Sequence, residues 1–236
     1  MKTIIHRSDS RGKSEPGWLH SRFSFSFANY YNPENMGFGL LRVLNDDVVE
    51  PGTGFGTHPH DNMEIVTIIL DGELEHKDSM GSGSVIRKGE VQVMSAGTGI
   101  THSEMNPSSD EKVNLFQLWI FPKERNIKPR YDQKEFSIEE RKNKLETVAS
   151  GFKTNGSLYI HQDAAITLGN VEKGKKLIYK NFKPGNGSYL LVINGKINLS
   201  GEELTTRDAI GVWEQDQFEI SAEENSDFVI IEVPMN

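Results

Sequence analysis

The feature that most constrains how this chain can fold is its series of short apolar segments, rich in β-branched and aromatic residues and separated by Gly, Asn or Asp. Long stretches with helical apolar periodicity are scarce, so the pattern predicts an all-β barrel or sandwich. The predicted strands fall into two sets. The first set is 38–44, 64–70, 73–77, 84–87, 90–94 and 113–121, and the second is 175–182, 189–193, 196–199, 209–213, 218–221 and 227–233.

The two sets resemble each other in sequence. Residues 69–74 read ILDGEL and residues 192–197 read VINGKI, each a two-residue Asp-Gly or Asn-Gly turn between apolar strands. A weaker match joins residues 88–94 (KGEVQVM) to residues 207–213 (RDAIGVW), with an offset of 119 instead of 123 residues. We infer an internal duplication that produces two barrels of roughly 100 residues each.

A polar, charge-dense stretch separates the two sets, from Pro122 to about Gly156. Within it, the sequence from Ser137 to Glu140 matches the capping box that opens many helices. We therefore predict three parts. They are an N-terminal barrel at 1–121, a linker with one short helix at 122–156, and a C-terminal barrel at 157–236.

Composition excludes several classes of function. The chain contains no cysteine, which leaves His and carboxylates as the candidate metal ligands. It has 26 Lys and Arg but 34 Asp and Glu, and the resulting net charge of -8 opposes direct binding of nucleic acid. No segment has the apolar length of a signal-peptide core or a membrane span. We expect a cytoplasmic protein that does not contact membranes and whose partners are small molecules or proteins.

Two pairs of polar residues carry the predicted chemistry. Side chains two apart on a strand leave the same face, so His58 and His60 project together, and His102 and Glu104 repeat that spacing. Glycine-rich turns precede both pairs and give the backbone freedom to aim the side chains. We predict that these four residues bind one metal ion inside the first barrel. Divalent first-row metals accept up to six ligands, so this set leaves positions open for a substrate.

Two alternatives accompany this prediction. A purely structural metal would prefer a closed tetrahedral set of four ligands, and the ligand count alone does not separate the two kinds of site. The other histidines are predicted to be surface or hydrogen-bonded core residues: His6, His20, His76 and His161. For His76 the argument is specific. With Asp71-Gly72 as a hairpin turn it would pair with Thr67 and face away from the metal.

These motifs resemble the cupin superfamily and, within it, the pirin family. The resemblance rests on GTHPHDNMEI at 56–65, Asp71-Gly72, SAGTGITHSE at 95–104 and RFSFSF at 22–27. With the second barrel included, it spans nearly the whole chain. It implies two tandem cupin barrels, each a double-stranded β-helix or jelly roll.

The fourth ligand has two candidates. Strand alternation places Glu64 on the face of His60, so the residues alone leave both Glu64 and Glu104 open. In the general cupin pattern the ligand would be Glu64, whereas in pirins it would be Glu104. The closer resemblance to pirins implies that Glu104 is the ligand and that Glu64 lies next to the metal site.

The duplication also predicts what the second barrel has lost. An offset of 123 residues places Asn181 and Lys183 opposite His58 and His60. An offset of 119 residues places Ser221 opposite His102. The C-terminal barrel should therefore lack metal ligands and serve to pack against the first.

The resemblance implies an activity as well, because bacterial proteins with these motifs include enzymes that open flavonols such as quercetin with O2 and release CO. In that hypothesis Glu104 accepts the proton of the substrate 3-hydroxyl and the metal offsets the charge of the oxyanion. Because a free Glu has a pKa of ~4.3, burial or a weakened metal bond must raise its basicity. The cofactor would be one divalent transition metal ion, with iron as the first expectation and nickel, cobalt, manganese, copper or zinc as alternatives.

A second hypothesis assigns the chain no catalysis. Some pirins bind and regulate a transcription factor or a metabolic enzyme, and there the metal would set the shape of a surface. The sequence leaves this alternative open.

Overall fold

Strands make up the regular structure of the chain apart from one 3-10 helix at Ser8–Ser10, in a computed structural model that describes residues 1–152 and 154–235. Most predicted strands are observed within two residues of their predicted bounds. The exception is 38–44, which is displaced. The first twelve strands are β1 Lys2–His6, β2 Gly12–Ser14, β3 Leu19–Phe23, β4 Leu41–Val49, β5 Gly54–His60, β6 Glu64–Asp71, β7 Glu73–Asp78, β8 Gly83–Arg87, β9 Glu90–Ser95, β10 Ile100–Met105, β11 Val113–Ile120 and β12 Arg130–Glu135.

The remaining strands repeat this arrangement in the second half of the chain. They are β13 Lys144–Ser150, β14 Leu158–Tyr159, β15 Ala165–Val171, β16 Lys176–Lys180, β17 Gly187–Asn194, β18 Lys196–Leu199, β19 Glu202–Thr205, β20 Ala209–Trp213, β21 Gln217–Ala222 and β22 Ser226–Val233.

Four sheets form two barrels. The first barrel combines a seven-stranded sheet in the order β12-β9-β6-β11-β4-β3-β2 with a four-stranded sheet in the order β5-β10-β7-β8. The second combines β1-β20-β17-β22-β15-β13-β14 with β16-β21-β18-β19. The predicted all-β fold of two tandem barrels is confirmed. None of the described residues belongs to a helix long and apolar enough to cross a membrane.

Sheet membership crosses the predicted boundaries at 121 and 157. The N-terminal strand β1 pairs with β20 of the second barrel, whereas β12 pairs with β9 of the first and β13 pairs with β15 of the second. The prediction of a short helix after Ser137 is wrong, because residues 138–141 form a turn. A capping box leads to a helix only when an apolar helical face follows it in the sequence. Here the residues that follow form strand β13 instead.

The two seven-stranded sheets face each other. One apolar cluster draws side chains from both, including Val66 and Phe116 from the first sheet and Leu168 and Ile231 from the second. Each barrel also has apolar side chains in its interior. In the second barrel these form a single cluster, and in the first they form two separate ones.

Candidate metal centre

Two neighbouring antiparallel strands bring the three predicted histidines together. His102 on β10 lies opposite His58 on β5, and His60 is two residues further along β5. The ring centroids are 4.4 Å apart for His58 and His102 and 4.9 Å apart for each of the other two pairs. One nitrogen from each ring lies within 4.8 Å of the nitrogens of the other two. The three imidazoles can therefore converge on a single ion.

Glu104 lies on β10 beyond a β-bulge. The register with β5 shifts between His102 and Glu104. A carboxylate oxygen of Glu104 and one ring nitrogen each of His102 and His76 all lie within 4.8 Å of one another. Its two oxygens accept hydrogen bonds from Gln117 Nε2 at 3.2 and 3.0 Å. His102 thus belongs to two overlapping sets of candidate ligands. Of the three predicted histidines, it is the one that Glu104 adjoins.

Burial controls the charge state of the site. It raises the pKa of Glu104 to about 7, against the opposing effect of the hydrogen bonds from Gln117. Burial, assisted by the neighbouring imidazoles, lowers the pKa of His60 to about 4 and that of His102 to about 3. Both rings are therefore neutral at pH 7. Metal ions bind the neutral form of imidazole.

The free nitrogens fit a metal ion. His58 Nδ1 donates a hydrogen bond to the Gly56 carbonyl at 2.8 Å, so in the neutral ring the lone pair is on Nε2. His102 Nε2 is buried and has no hydrogen-bond partner among the described residues. Leaving a buried polar atom unpaired costs free energy, and coordination would satisfy it. The donor set, imidazole nitrogens beside a carboxylate, suits divalent transition metals.

His76 is a neighbour of the site that sequence reasoning missed. The prediction that it faces away is wrong, because the Asp71-Gly72 turn carries the chain from the seven-stranded sheet to the four-stranded one. His76 therefore pairs with Glu104 and Ser84 instead of Thr67, and its side chain is fully buried inside the barrel. The sequence signal that could have found it is the alternation along β7, where His76 shares the face of the apolar Leu74 and charged residues occupy the other face.

Glu64 belongs to neither set of candidate ligands. Asn62 adopts a positive φ of 45° between β5 and β6, so strand alternation does not continue from His60 to Glu64. The buried Glu64 carboxylate instead accepts hydrogen bonds from Ser95 Oγ at 2.8 Å and from the His161 backbone N–H at 3.0 Å. Burial raises its pKa to about 7. Glu64 thus joins the first barrel to residues that precede β15 of the second.

The second barrel holds different residues at the corresponding positions. Residues 49–53 (VEPGT) match 171–175 (VEKGK), and the turns are held alike, by Asn106 N–H to Thr53 O at 2.8 Å and by Ala222 N–H to Lys175 O at 2.9 Å. Counting along the paired strands from these turns aligns the two sites. The residues that replace His58, His60, His102 and Glu104 are Tyr179, Asn181, Phe218 and Ile220.

The predicted positions in the second barrel were therefore misaligned. Asn181 replaces His60 instead of His58, while Lys183 and Ser221 are not counterparts of any candidate ligand. The constant offsets failed because the loop between β16 and β17 is longer than the loop between β5 and β6, and because the loop before β21 is shorter than the loop before β10. The observed replacements contain no imidazole or carboxylate.

The site opens to the surface beside His60. A shallow cleft of ≈ 460 Å³ there is lined by Pro59, His60, Asp61, Ser79, Gly99, Ile100 and Thr101. On its inner side, the His60 ring packs against the Trp119 ring in a T-shaped contact, with centroids 4.8 Å apart. Volumes of this size are typical of small-molecule sites.

Comparison with known proteins gives matches over nearly the whole chain. Residues 5–120 match the family model for pirin, and residues 147–233 match the model for the quercetinase C-terminal cupin domain. A quercetin 2,3-dioxygenase of Escherichia coli (strain K12) is 41% identical over 230 residues, which is 98% of each chain. A pirin-like protein of Caulobacter vibrioides is 39% identical over 225 residues, 95% of this chain and 96% of that protein.

A solved structure shares the fold. The crystal structure of the bacterial pirin YhhW of Escherichia coli in complex with nickel(II) has a TM-score of 0.93 and 40% sequence identity, with 99% of both chains covered. The strand order and the two-barrel arrangement are thus those of a solved relative.

Proposed function

This chain belongs to the pirin family of the cupin superfamily, and we propose that it is a metal-dependent dioxygenase that opens flavonols such as quercetin with O2 and releases CO. One observation carries the proposal: three imidazoles converge beside a buried carboxyl group whose pKa is close to neutrality. The name of the E. coli relative, quercetin 2,3-dioxygenase, supports the reaction.

We infer that His58, His60, His102 and Glu104 hold one divalent metal ion. Support comes from the unpaired Nε2 of His102 and from the nickel(II) bound to the related E. coli pirin. When bound, the ion would stabilise negative charge on a substrate oxygen. Iron is our first expectation, and nickel, cobalt, manganese, copper and zinc are alternatives, since availability decides among them for such ligands.

Glu104 is the proposed general base. A base works best when its pKa lies near the working pH, and burial raises the pKa of Glu104 to about 7. The carboxylate is held in place by Gln117, whose Oε1 in turn accepts a hydrogen bond from Thr67 Oγ1 at 3.1 Å. Glu104 would take the proton of the flavonol 3-hydroxyl while Gln117 fixes the direction of its oxygens.

The cleft beside His60 is the proposed entrance for the substrate. Its polar and apolar lining suits a flat aromatic molecule with hydroxyl groups. Trp119 closes the inner end of this path against His60 and keeps its indole Nε1 unpaired among the described residues. A substrate hydroxyl or carbonyl that reaches this nitrogen would satisfy it.

The test is aerobic incubation of the iron, nickel, cobalt, manganese and copper forms with quercetin, followed by the flavonol absorbance and by CO release. We expect turnover with at least one metal, abolished by His58→Ala and by Glu104→Ala. His20→Ala is the control, because His20 lies at the surface and pairs with Glu15 and Glu50. It should keep full activity. No turnover with any metal would overturn the proposal and favour the regulatory binding protein.

A further inference from the structure

We propose that Asp78 and His76 form a hydrogen-bonded chain that positions His102 for metal binding, by keeping its Nδ1 protonated and its Nε2 free. The inference deepens the proposed function and rests on the proposed metal site. Neither residue touches the outer cleft. Both act through His102.

The three side chains are linked in a line inside the barrel. Asp78 Oδ2 lies 3.3 Å from His76 Nε2, and His76 Nδ1 lies 3.4 Å from His102 Nδ1. The side chains of Asp78 and His76 are fully buried, and His102 is 2% exposed. Because water does not reach this chain from outside, the three groups must satisfy one another.

The Asp78 carboxylate at one end determines which atom donates in each hydrogen bond of the chain. A carboxylate only accepts hydrogen bonds, and Asp78 Oδ1 already accepts the backbone N–H groups of Met80 at 2.8 Å and Ser82 at 3.0 Å. His76 Nε2 must therefore donate to Asp78, which leaves Nδ1 of a neutral His76 as an acceptor. His102 Nδ1 then donates to His76.

The consequence appears at the other nitrogen of His102. With the proton on Nδ1, Nε2 carries the lone pair. This buried nitrogen lies beside the rings of His58 and His60 and has no hydrogen-bond partner in the part of the chain that the structure describes. Carboxylates and other acceptors behind a metal-binding histidine fix its tautomer and orientation in this way. Here an imidazole is inserted between the carboxylate and the ligand.

An aromatic contact from another strand restricts the orientation of the His76 ring. Tyr131 on β12 packs on the His76 ring, with centroids 4.7 Å apart and an interplanar angle of 31°. The Tyr131 hydroxyl bonds Ser84 Oγ at 2.5 Å and Gln133 Oε1 at 2.8 Å. The segment predicted as a linker thus supplies the side chain that restricts rotation of His76.

The second barrel has lost this chain together with the ligands. Counting from the matched Asp-Gly and Asn-Gly turns, Leu199 stands where His76 stands, and it packs against Ile220, the residue opposite it on β21. Phe218 replaces His102. The loss of both together is expected if the hydrogen-bonded chain serves to orient the His102 imidazole.

The first test needs no metal. Nitrogen-15 NMR of the histidine side chains in the metal-free protein should show the proton of His76 on Nε2 and that of His102 on Nδ1. In Asp78→Asn the amide NH2 faces His76 Nε2 and reverses the chain, so the proton of His102 should move to Nε2. His102 protonated on Nε2 in the wild-type protein would overturn the proposal.

The second test measures affinity for Ni²⁺ and Co²⁺ by competition with a chelator. His76→Leu should weaken binding by about 10–100-fold, the usual effect of losing an outer hydrogen-bond partner, and Asp78→Asn should do the same. His76→Gln, whose amide oxygen can accept the His102 proton, should recover most of the loss. His20→Leu, a surface histidine with carboxylate partners, is the matched control and should leave affinity unchanged.

The outcomes separate this inference from the proposed function. If the wild-type protein binds neither ion, the proposed metal site fails, while the NMR result still decides the tautomer chain. If the wild-type protein binds and His76→Leu binds equally well, the positioning role is wrong. X-ray absorption of the Co²⁺ form should count the same number of imidazoles in the wild type and in His76→Gln. One imidazole fewer would make His76 a ligand and overturn the proposal.

Discussion

The two barrels share a strand plan, and beyond the candidate ligands they also differ in one further layer of their interiors. In the first barrel, Thr67 lies between Gln92 and Gln117 on neighbouring strands. In the second, the same register places Leu190 between Ile210 and Ile230. A polar layer next to the candidate metal centre has thus been replaced by an apolar one, and this layer is what separates the two apolar clusters of the first barrel.

The difference extends to hydrogen bonding. The interior of the first barrel leaves several buried polar atoms without partners among the described residues: Asn45 Oδ1, Gln92 Oε1 and Nε2, His102 Nε2 and Trp119 Nε1. At the matching end of the second barrel the polar groups are paired, with Tyr179 donating to Glu232 at 2.9 Å and Asn181 donating to the Asn186 carbonyl at 2.8 Å. Unpaired buried groups cost stability, so the first interior is built for binding and the second for packing.

The strongest test of this comparison transfers a residue from the second barrel to the first. His102→Phe, which copies Phe218, removes the imidazole shared by both candidate ligand sets. We expect metal affinity to fall by more than the ~100-fold that marks the upper effect of losing an outer partner. Chelator competition measures it. Phe218→Leu in the second barrel is the control, and equal affinity of His102→Phe and wild type would remove the functional difference between the barrels.

The next largest effect concerns stability of the metal-free protein. Ile210→Gln should destabilise the fold by about 3–5 kcal/mol, because it gives up apolar burial and leaves an amide unpaired in an apolar interior. The mirror change, Gln92→Ile, should stabilise it by about 1–3 kcal/mol, since two unpaired buried atoms are removed. Urea unfolding followed by circular dichroism measures both. A loss of stability in Gln92→Ile would mean that the first interior is hydrated and that its polar layer is already satisfied by water.

The positions of most predicted strands and the same-face placement of His58 with His60 were accessible from the sequence because both follow from local alternation. The spacing of His58 and His60 places them on one face, and a glycine-rich turn visible in the sequence precedes the strand that carries His102. Such information survives folding because a strand keeps its period of two within its own length.

What the sequence could not predict depends on where the chain leaves one sheet for another. The prediction extended strand alternation across the turn at Asn62 and so assigned Glu64 to the face of His60. It also extended alternation across the Asp71-Gly72 turn and so assigned His76 to the wrong face. The exchange of β1 and β12 between the halves is likewise a tertiary choice, since a strand pattern does not name its partner. The residues that act through others, such as His76, are the ones most easily missed.

The smallest expected effect is a pH dependence that the second barrel cannot show, because Ile220 replaces Glu104. With the pKa of Glu104 raised to about 7, the metal-free site holds that proton at pH 6 and has lost it at pH 8. The pKa values of about 4 for His60 and about 3 for His102 mean that neither ring holds a proton at pH 6. Metal binding must therefore release the Glu104 proton at pH 6, and affinity should rise with pH up to about 7, by at most about tenfold per pH unit.

Calorimetry of metal binding in buffers of different ionisation enthalpy counts the released protons. At pH 6 the wild-type protein should release about one proton more than Glu104→Gln, which retains the three imidazoles, and at pH 8 this difference should vanish. A difference of the same size at both pH values would show that the proton comes from another group. Proton release by Glu104→Gln equal to that of the wild type at pH 6 would show that Glu104 does not enter the metal site, and the carboxylate would then belong to the polar layer alone.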